Sequence, residues 1–354
     1  MISIRPFNDA DNQSMLEIEK LCPQGDENCA MGVNKKDIIA RYKMYDNWNV
    51  LVAEEDGIVA GWIGVTVKPT NRQEERYAYL TEVMVHPAFR RSGLATKLVK
   101  EAEEKAQEME SSYIYCYIYE SNRASKNLFS KLGYSSMRDI KTPAIATYKK
   151  LDLSPQYSMK LADEKDIWGA IGLINKYNSE LIHFMPFTAQ TFESRLNTIP
   201  SYGSENFWVA RDENNRVVAC AGLWDSSKLA DLYYAREPKM MKIMKSIFEA
   251  LSHITKIPKI PAEGEFFNFL YVVDYAFDKG QPDAMLELLK YLNNFLIDMK
   301  RDYLMTAVDP EDDFLKAIKK LKPQTESWSV FAKPLKGDLP NFSPFYVDIR
   351  DIIP

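Results

Sequence analysis

The sequence predicts an α/β fold of the α+β type: mixed, mostly antiparallel sheets flanked by helices, in two tandem copies of one domain. Three observations carry this. One order of elements occurs twice along the 354 residues. Each copy contains a hairpin closed by a tight-turn dipeptide. In each copy a strand runs through a short loop directly into an amphipathic helix, which is followed by a further strand. The length by itself favours two domains.

The first copy opens on a short strand at Ile4, an acidic cap region from Asn8 to Asp11, and a helical pattern to Leu21. The second opens the same way at Met159, with Asp163 and Asp166 in its cap region and a helix to Tyr177. The hairpins follow, at 50–64 with Asp56-Gly57 at the turn and at 207–222 with Asn214-Asn215. Next come a strand at 79–85, a loop, a helix at 94–109 and a strand at 113–119. Their counterparts are 269–273, 278–282, 284–300 and 303–308. Short amphipathic helices at 123–132 and 312–321 close the two copies. The Pro-containing stretch 151–156 reads as the linker, which places the domains at 1–151 and 157–332. The remainder, 333–354, is Pro-rich with one strand-like run at 345–348 and is expected to pack on a domain edge.

The most informative stretch lies at the end of the 79–85 strand: Arg90-Arg91-Ser92-Gly93-Leu94-Ala95-Thr96. A helix start carries unpaired N–H groups and partial positive charge, so it attracts anions. Gly93 and Ala95 keep side chains clear of an approaching diphosphate, and the two arginines add full charge. The spacing Arg90-x-x-Gly93-x-Ala95 resembles the acetyl-CoA pyrophosphate loop of the GCN5-related N-acetyltransferases, the GNAT superfamily. A second stretch is similar to that family's last-helix pattern: Asn122-Arg123-Ala124-Ser125-Lys126-Asn127-Leu128-Phe129-Ser130-Lys131-Leu132-Gly133-Tyr134. The order of elements also resembles the family fold, so the resemblance covers nearly the whole chain as two GNAT-like domains. In the second copy the loop reads Asp278-Lys279-Gly280-Gln281-Pro282-Asp283. It has no arginine, and its carboxylates oppose a diphosphate, so this copy is expected to be degenerate and to cover the acceptor cleft of the first.

The resemblance implies acetyl-CoA as co-substrate and transfer to an amine. The pantetheine arm would pair with the backbone of Val83-Met84-Val85, and the residues from Arg90 to Thr96 would hold the diphosphate. Asn122, Ser125 and Phe129 would contact CoA, although Asn122 is also a good helix N-cap. Glu82 is the candidate proton acceptor, because a carboxylate in an apolar strand needs solvent, a partner or a task; a salt-bridged or solvent-facing glutamate is the alternative. Strand alternation puts Glu82, Met84 and His86 on one face and Thr81, Val83 and Val85 on the other. His86 is the next candidate base, at the strand exit. Phe129 stands where the family often has a tyrosine that protonates the thiolate, so either the thiolate leaves unassisted or through water, or another group such as Ser125 or Tyr134 serves. Tyr134 reads equally as a core aromatic. The polar run around Arg72, Glu74, Glu75 and Arg76 reads as a solvated charge cluster bordering the acceptor region.

Bulk properties narrow the partners. The formal net charge of -5 argues against a nucleic-acid binder. No run reaches the roughly 18 apolar residues a membrane span needs, and the N-terminus has no signal-peptide pattern. Four scattered cysteines fit a reduced, cytoplasmic setting, with a Cys22–Cys29 bridge as the alternative. Three scattered histidines give no metal-ligand spacing. The expectation is a monomeric or homodimeric N-acetyltransferase acting on a small-molecule or amino-acid amine by direct transfer. The alternatives are a non-catalytic acyl-CoA-binding regulatory module and an enzyme for protein or peptide amines.

Overall fold

The computed structural model describes residues 2–70, 75–252 and 257–353, with the main chain alone for 246–252. Arg72, Glu74 and His253 lie outside the described residues. The first half contains β1 (Ile2–Pro6), α1 (Asn12–Leu21), β2 (Gln24–Gly25), β3 (Ala30–Lys35), β4 (Trp48–Glu55), β5 (Ile58–Pro69), β6 (Arg76–Val85), α2 (Leu94–Glu108), β7 (Ser111–Tyr119), α3 (Arg123–Lys131) and β8 (Ser135–Ala146). The second contains β9 (Ser158–Leu161), α4 (Glu164–Asn178), α5 (Ala189–Thr198), β10 (Phe207–Arg211), β11 (Val217–Trp224), β12 (Ala230–Arg236), α6 (Lys239–Ser252), β13 (Phe269–Phe277), α7 (Pro282–Asp298), β14 (Tyr303–Met305), α8 (Phe314–Ile318), β15 (Gln324–Pro334) and α9 (Ile349–Ile352).

Twelve strands form one continuous sheet in the order β1-β4-β5-β6-β7-β15-β8-β14-β13-β11-β10-β9. The order is palindromic about its centre. β1, β4, β5, β6 and β7 correspond to β9, β10, β11, β13 and β14. At the centre the last strands change places: β15 pairs with β7, and β8 pairs with β14. Each half therefore completes the sheet of the other. A second sheet, β12-β3-β2, also joins the halves.

Periodicity decides the faces. Leu94, Leu98, Val99, Ala102 and Ala106 line one side of α2 and are fully buried against Ala78, Leu80, Ile114 and Cys116 of the sheet. Burying each large apolar side chain contributes roughly 1.5–3 kcal/mol. The opposite sheet face carries Tyr77, Tyr79, Tyr113 and Tyr115, packed with Phe342 and Phe345. The C-terminal segment is therefore not at a domain edge. Phe342, Phe345, Ile349 and Ile353 are each no more than 5% exposed, because this segment supplies the core that the tyrosine face needs.

Candidate active site

Parallel strands β6 and β7 pair only from Arg76↔Ser111 to Tyr79↔Tyr115. Beyond that point they diverge, and 80–85 faces a wedge across from 116–119. On its other side β6 stays paired with β5, but the register slips: Trp62 faces Met84, whereas Gly64 faces Thr81. Two residues, Glu82 and Val83, thus stand opposite Ile63, which is a β-bulge. Glu82 sits there with φ of 55°. Its side chain is only 4% exposed while the residue as a whole is partly exposed, so its main chain is what meets solvent. The bulge also breaks the expected alternation. Val83 and Val85 pack with Leu80 on the α2 side, while Met84 packs with Trp62 and Met15 on the other. Thr81 and Glu82 share that other side, where the Tyr42 hydroxyl reaches both, at 2.8 and 2.7 Å.

The loop after β6 leads into α2. Arg91 and Gly93 both take left-handed backbone, with φ of 65° and 82°, a conformation in which glycine carries no steric cost. Gly93 is the N-cap of α2 and makes no side-chain cap bond. A Cβ at Gly93 would meet nothing within 4 Å, so this side of the helix start is open. Leu94 is buried and anchors the turn, while Arg90, Arg91, Ser92 and Gly93 are exposed. Ser92 Oγ donates to the Phe89 carbonyl at 2.7 Å. Arg90 is tethered: Nε donates to the Val85 carbonyl at 3.2 Å and Nη2 reaches Cys22 Sγ at 3.1 Å. Ala95 and Thr96 follow in the first turn, partly buried.

In α3 the Asn122 side chain accepts from the Ser125 N–H at 3.1 Å; it is the helix cap, and both residues remain partly exposed. Phe129 and Tyr134 are each 3% exposed and pack edge to face at 4.9 Å. Tyr134 does not fit the role of proton donor. Burial and the nearby Glu103 carboxylate push its hydroxyl well above the ordinary tyrosine range. Glu103 lies nine residues along α2 from Leu94, about 13 Å at the helical rise. Tyr134 therefore packs beside the middle of the helix, far from its start.

Glu82 does not fit the role of proton acceptor either. It accepts from Lys35 Nζ at 2.5 Å, Arg41 Nη1 at 3.0 Å and the Tyr42 hydroxyl. Burial pushes its carboxyl up, but Lys35 and Arg41 outweigh burial and hold it at about 2. A carboxylate so fully engaged has little basicity left for an ammonium. His86 is also occupied: its Nδ1 accepts from the Ala88 N–H at 3.2 Å.

The sequence reading passed over Lys35, Arg41, Tyr42 and Glu326. The first three sit in irregular or cross-half segments with no periodic signal. Glu326 comes from the exchanged strand β15, whose Trp328 faces Tyr119 of β7. Glu326 is exposed but crowded, and burial raises its carboxyl against the opposing pull of the Tyr119 hydroxyl. It shares the tyrosine side of the sheet, since alternate residues of a strand face the same way. Cys29 and Tyr234 are near enough for its charge to act on them.

The second half repeats the wedge. β13 and β14 pair only from Phe269↔Tyr303 to Tyr271↔Met305. Here Phe345, Tyr346, Val347 and Ile349 of the C-terminal segment fill the opening and leave a cavity of about 30 Å³. In the loop beyond, Gly280 is left-handed, Pro282 starts α7, and Asp278 pairs with Arg216 at 3.2 Å. The four cysteines are free thiols. Among the described residues, no cluster has the makings of a metal site, and no helix is long and apolar enough to cross a membrane.

These features coincide with known proteins. Residues 13–134 match the Acetyltransferase (GNAT) family. The chain carries a GNAT-family domain, is homologous to N-acetyltransferases, and over its whole length has the fold of tandem GNAT proteins. It is 41% identical over 158 residues to "Probable N-acetyltransferase HLS1" of Arabidopsis thaliana, an alignment covering 43% of this chain and 36% of that protein. Its fold is similar to that of a GCN5-related N-acetyltransferase from Sphaerobacter thermophilus, with TM-score 0.64 and 14% identity over 96% of this chain and 97% of that one. It is similar also to a tandem GNAT protein from the clavulanic acid biosynthesis pathway, with TM-score 0.55 and 12% identity over 96% of this chain and 100% of that one. The chain spans 36–54% of the length of the curated relatives it matches. GNAT proteins typically use acyl-CoA.

Proposed function

We propose that the first half binds acetyl-CoA and transfers its acetyl group directly to a primary amine of a small molecule or amino acid. One observation carries this reading: the wedge between β6 and β7 opens beside an uncapped helix start whose glycine leaves room for a phosphate. The chain's residues fit the group in two places. The exposed Arg91 guanidinium and the first-turn N–H groups of α2 suit a diphosphate. The exposed main chain at the bulge suits a carbonyl that gains negative charge, where preorganised donors contribute most. The bound thioester supplies the activated acyl group.

Direct transfer is favoured over a covalent enzyme intermediate. Burial pushes the Cys116 thiol far above the ordinary range, and burial raises Cys22 and Cys29 as well. A thiol so shifted is a poor nucleophile at neutral pH. With Glu82 engaged, Glu326 is the carboxylate suited to take the amine proton, because it is accessible and its carboxyl is raised rather than lowered. The filled wedge of the second half supports one acyl-CoA site per chain. A second reading, a non-catalytic acyl-CoA-binding module, draws on Phe129 and the buried Tyr134, which leave no tyrosine donor at the family position.

Calorimetric titration with acetyl-CoA tests the reading. The expected result is one site per chain, weakened about a hundredfold by Gly93→Asp, which puts a carboxylate and a strained backbone at the phosphate position. Turnover with a panel of primary amines then separates the enzyme from the binding module.

A further inference from the structure

One side-chain device is built twice in this chain. In the first half, Glu82 occupies the β6 bulge in left-handed backbone and the Tyr42 hydroxyl binds it. That hydroxyl stands 2.0 Å from where a Cβ on Gly64 would lie, so the neighbouring strand must carry glycine there. In the second half, β11 and β13 slip register between Cys220 and Gly222, and Asp274 occupies the bulge with φ of 47°. Tyr202 donates to Asp274 at 3.0 Å, and its hydroxyl stands 2.2 Å from a Cβ on Gly222. Each carboxylate also has a buried arginine partner: Arg41 for Glu82 at 3.0 Å and Arg195 for Asp274 at 2.8 Å. Lys35 is an addition of the first copy, and it bridges Glu82 to Glu19 at 3.2 Å.

We infer that Glu82 is a positioning residue: anchored by Lys35, Arg41 and Tyr42, it locks the bulge that turns the main chain of Glu82 and Val83 toward the acyl carbonyl. This rests on the proposed function. A non-glycine residue in left-handed backbone persists only where its surroundings over-determine it, and three donors on one carboxylate do so. The bulge is also where β6 leaves β7, so main chain freed from the ladder is aimed into the wedge. The second copy separates two roles. There the same device holds a bulge whose wedge is filled by Phe345–Ile349 side chains, so it serves structure alone. In the first copy, where the proposed function puts the acyl group beside the unpaired end of β6, the device also sets the direction of the main-chain groups.

The test compares Glu82→Gln with Asp274→Asn in the full chain. Acetyl-CoA and free CoA are the probes, read by calorimetry, with thermal melting alongside. Both variants should melt at lower temperature. Asp274→Asn should keep the wild-type affinity for both probes. Glu82→Gln should lose at least tenfold in acetyl-CoA affinity and less than twofold for CoA, which lacks the carbonyl. The carbonyl carbon-13 shift of bound labelled acetyl-CoA should move back toward its free value. If Glu82→Gln folds poorly, Tyr42→Phe removes one donor only, and the acetyl-CoA to CoA affinity ratio should fall about threefold. An unchanged ratio and carbonyl shift in the folded variants would overturn the inference while leaving the acyl-CoA site standing. A wild type that binds neither probe would instead overturn the proposed function, and this inference with it.

Discussion

Glu82 ties stability to acid pH. Its carboxyl is at about 2 in the folded chain, against an ordinary value of 4.5. A depressed carboxylate contributes stability that is present above its unfolded pKa and lost as pH falls through the folded one. The contribution should therefore fade as pH falls from 4.5 to about 2, with Glu19 opposing it because burial raises that carboxyl. Melting Glu82→Gln across this range should show a shallower acid loss than the wild type. His183 acts at higher pH. It is buried and stacked 4.0 Å from Tyr77, and its Nε2 lies 2.6 Å from the Tyr113 hydroxyl. Burial, with the Lys68 charge adding to it, lowers its pKa well below 6.5. Its unfolded form binds the proton first, so stability is full above about pH 6.5 and falls below it. His183→Asn tolerates the left-handed backbone there and should flatten the melting temperature between pH 7 and 5. At the site, Glu326→Gln should leave acetyl-CoA affinity within twofold and lower turnover of an accepted amine at least tenfold, with the acid limb of the pH–rate profile lost. Unchanged turnover and profile would remove Glu326 from the proposal. Few of these roles were legible in sequence. Glu82 stood out as a charge in an apolar strand, but Lys35, Arg41 and Tyr42, which decide its protonation, come from segments without periodicity.

Elements with local signals were the most legible. The strand, loop and helix from β6 through α2 were read nearly to their ends, because the turn chemistry and the helical stripe are encoded within some thirty residues. The long strands β8 and β15 were not read, since their partners lie up to about 220 positions away, as Pro334 does from Tyr113. The C-terminal segment was misplaced for the same reason. Its polar residues look suited to solvent, yet the Asp351 carboxylate accepts from Tyr45 and Tyr115 at 2.8 and 2.7 Å and from Lys68, while its carbonyl accepts from Arg41 at 3.0 Å. Asp348 bridges Lys68 of the first half, at 3.3 Å, and Arg195 of the second, at 3.8 Å. Removing one partner of such a network leaves uncompensated buried charge, which costs about 3–5 kcal/mol. Asp351→Ala should show a loss of that size in chemical denaturation; a loss under 1 kcal/mol would mean that water replaces the carboxylate.

The whole molecule behaves as one sheet although the chain reads as two copies. β15 contributes seven register pairs to β7, from Trp328↔Tyr119 to Pro334↔Tyr113, and β3 pairs with β12 across the halves. Neither half has a complete sheet by itself. Calorimetry should therefore show one cooperative unfolding transition, and two resolved transitions would contradict this coupling. The internal repeat was visible in the sequence, but the exchange of end strands was not, because strand pairing between distant segments leaves no local pattern. The two wedges differ within this symmetric frame. The first wedge opens beside an uncapped, arginine-bearing helix start, and the second is filled by the chain's own Phe345 to Ile349. The most direct test is acetyl-CoA titrated into the full chain and into Gly93→Asp, with the stoichiometry read from the calorimetric inflection. One site per chain that weakens about a hundredfold in the variant is the predicted result. Two sites, or one site indifferent to Gly93→Asp, would contradict the assignment of acyl-CoA binding to the first wedge.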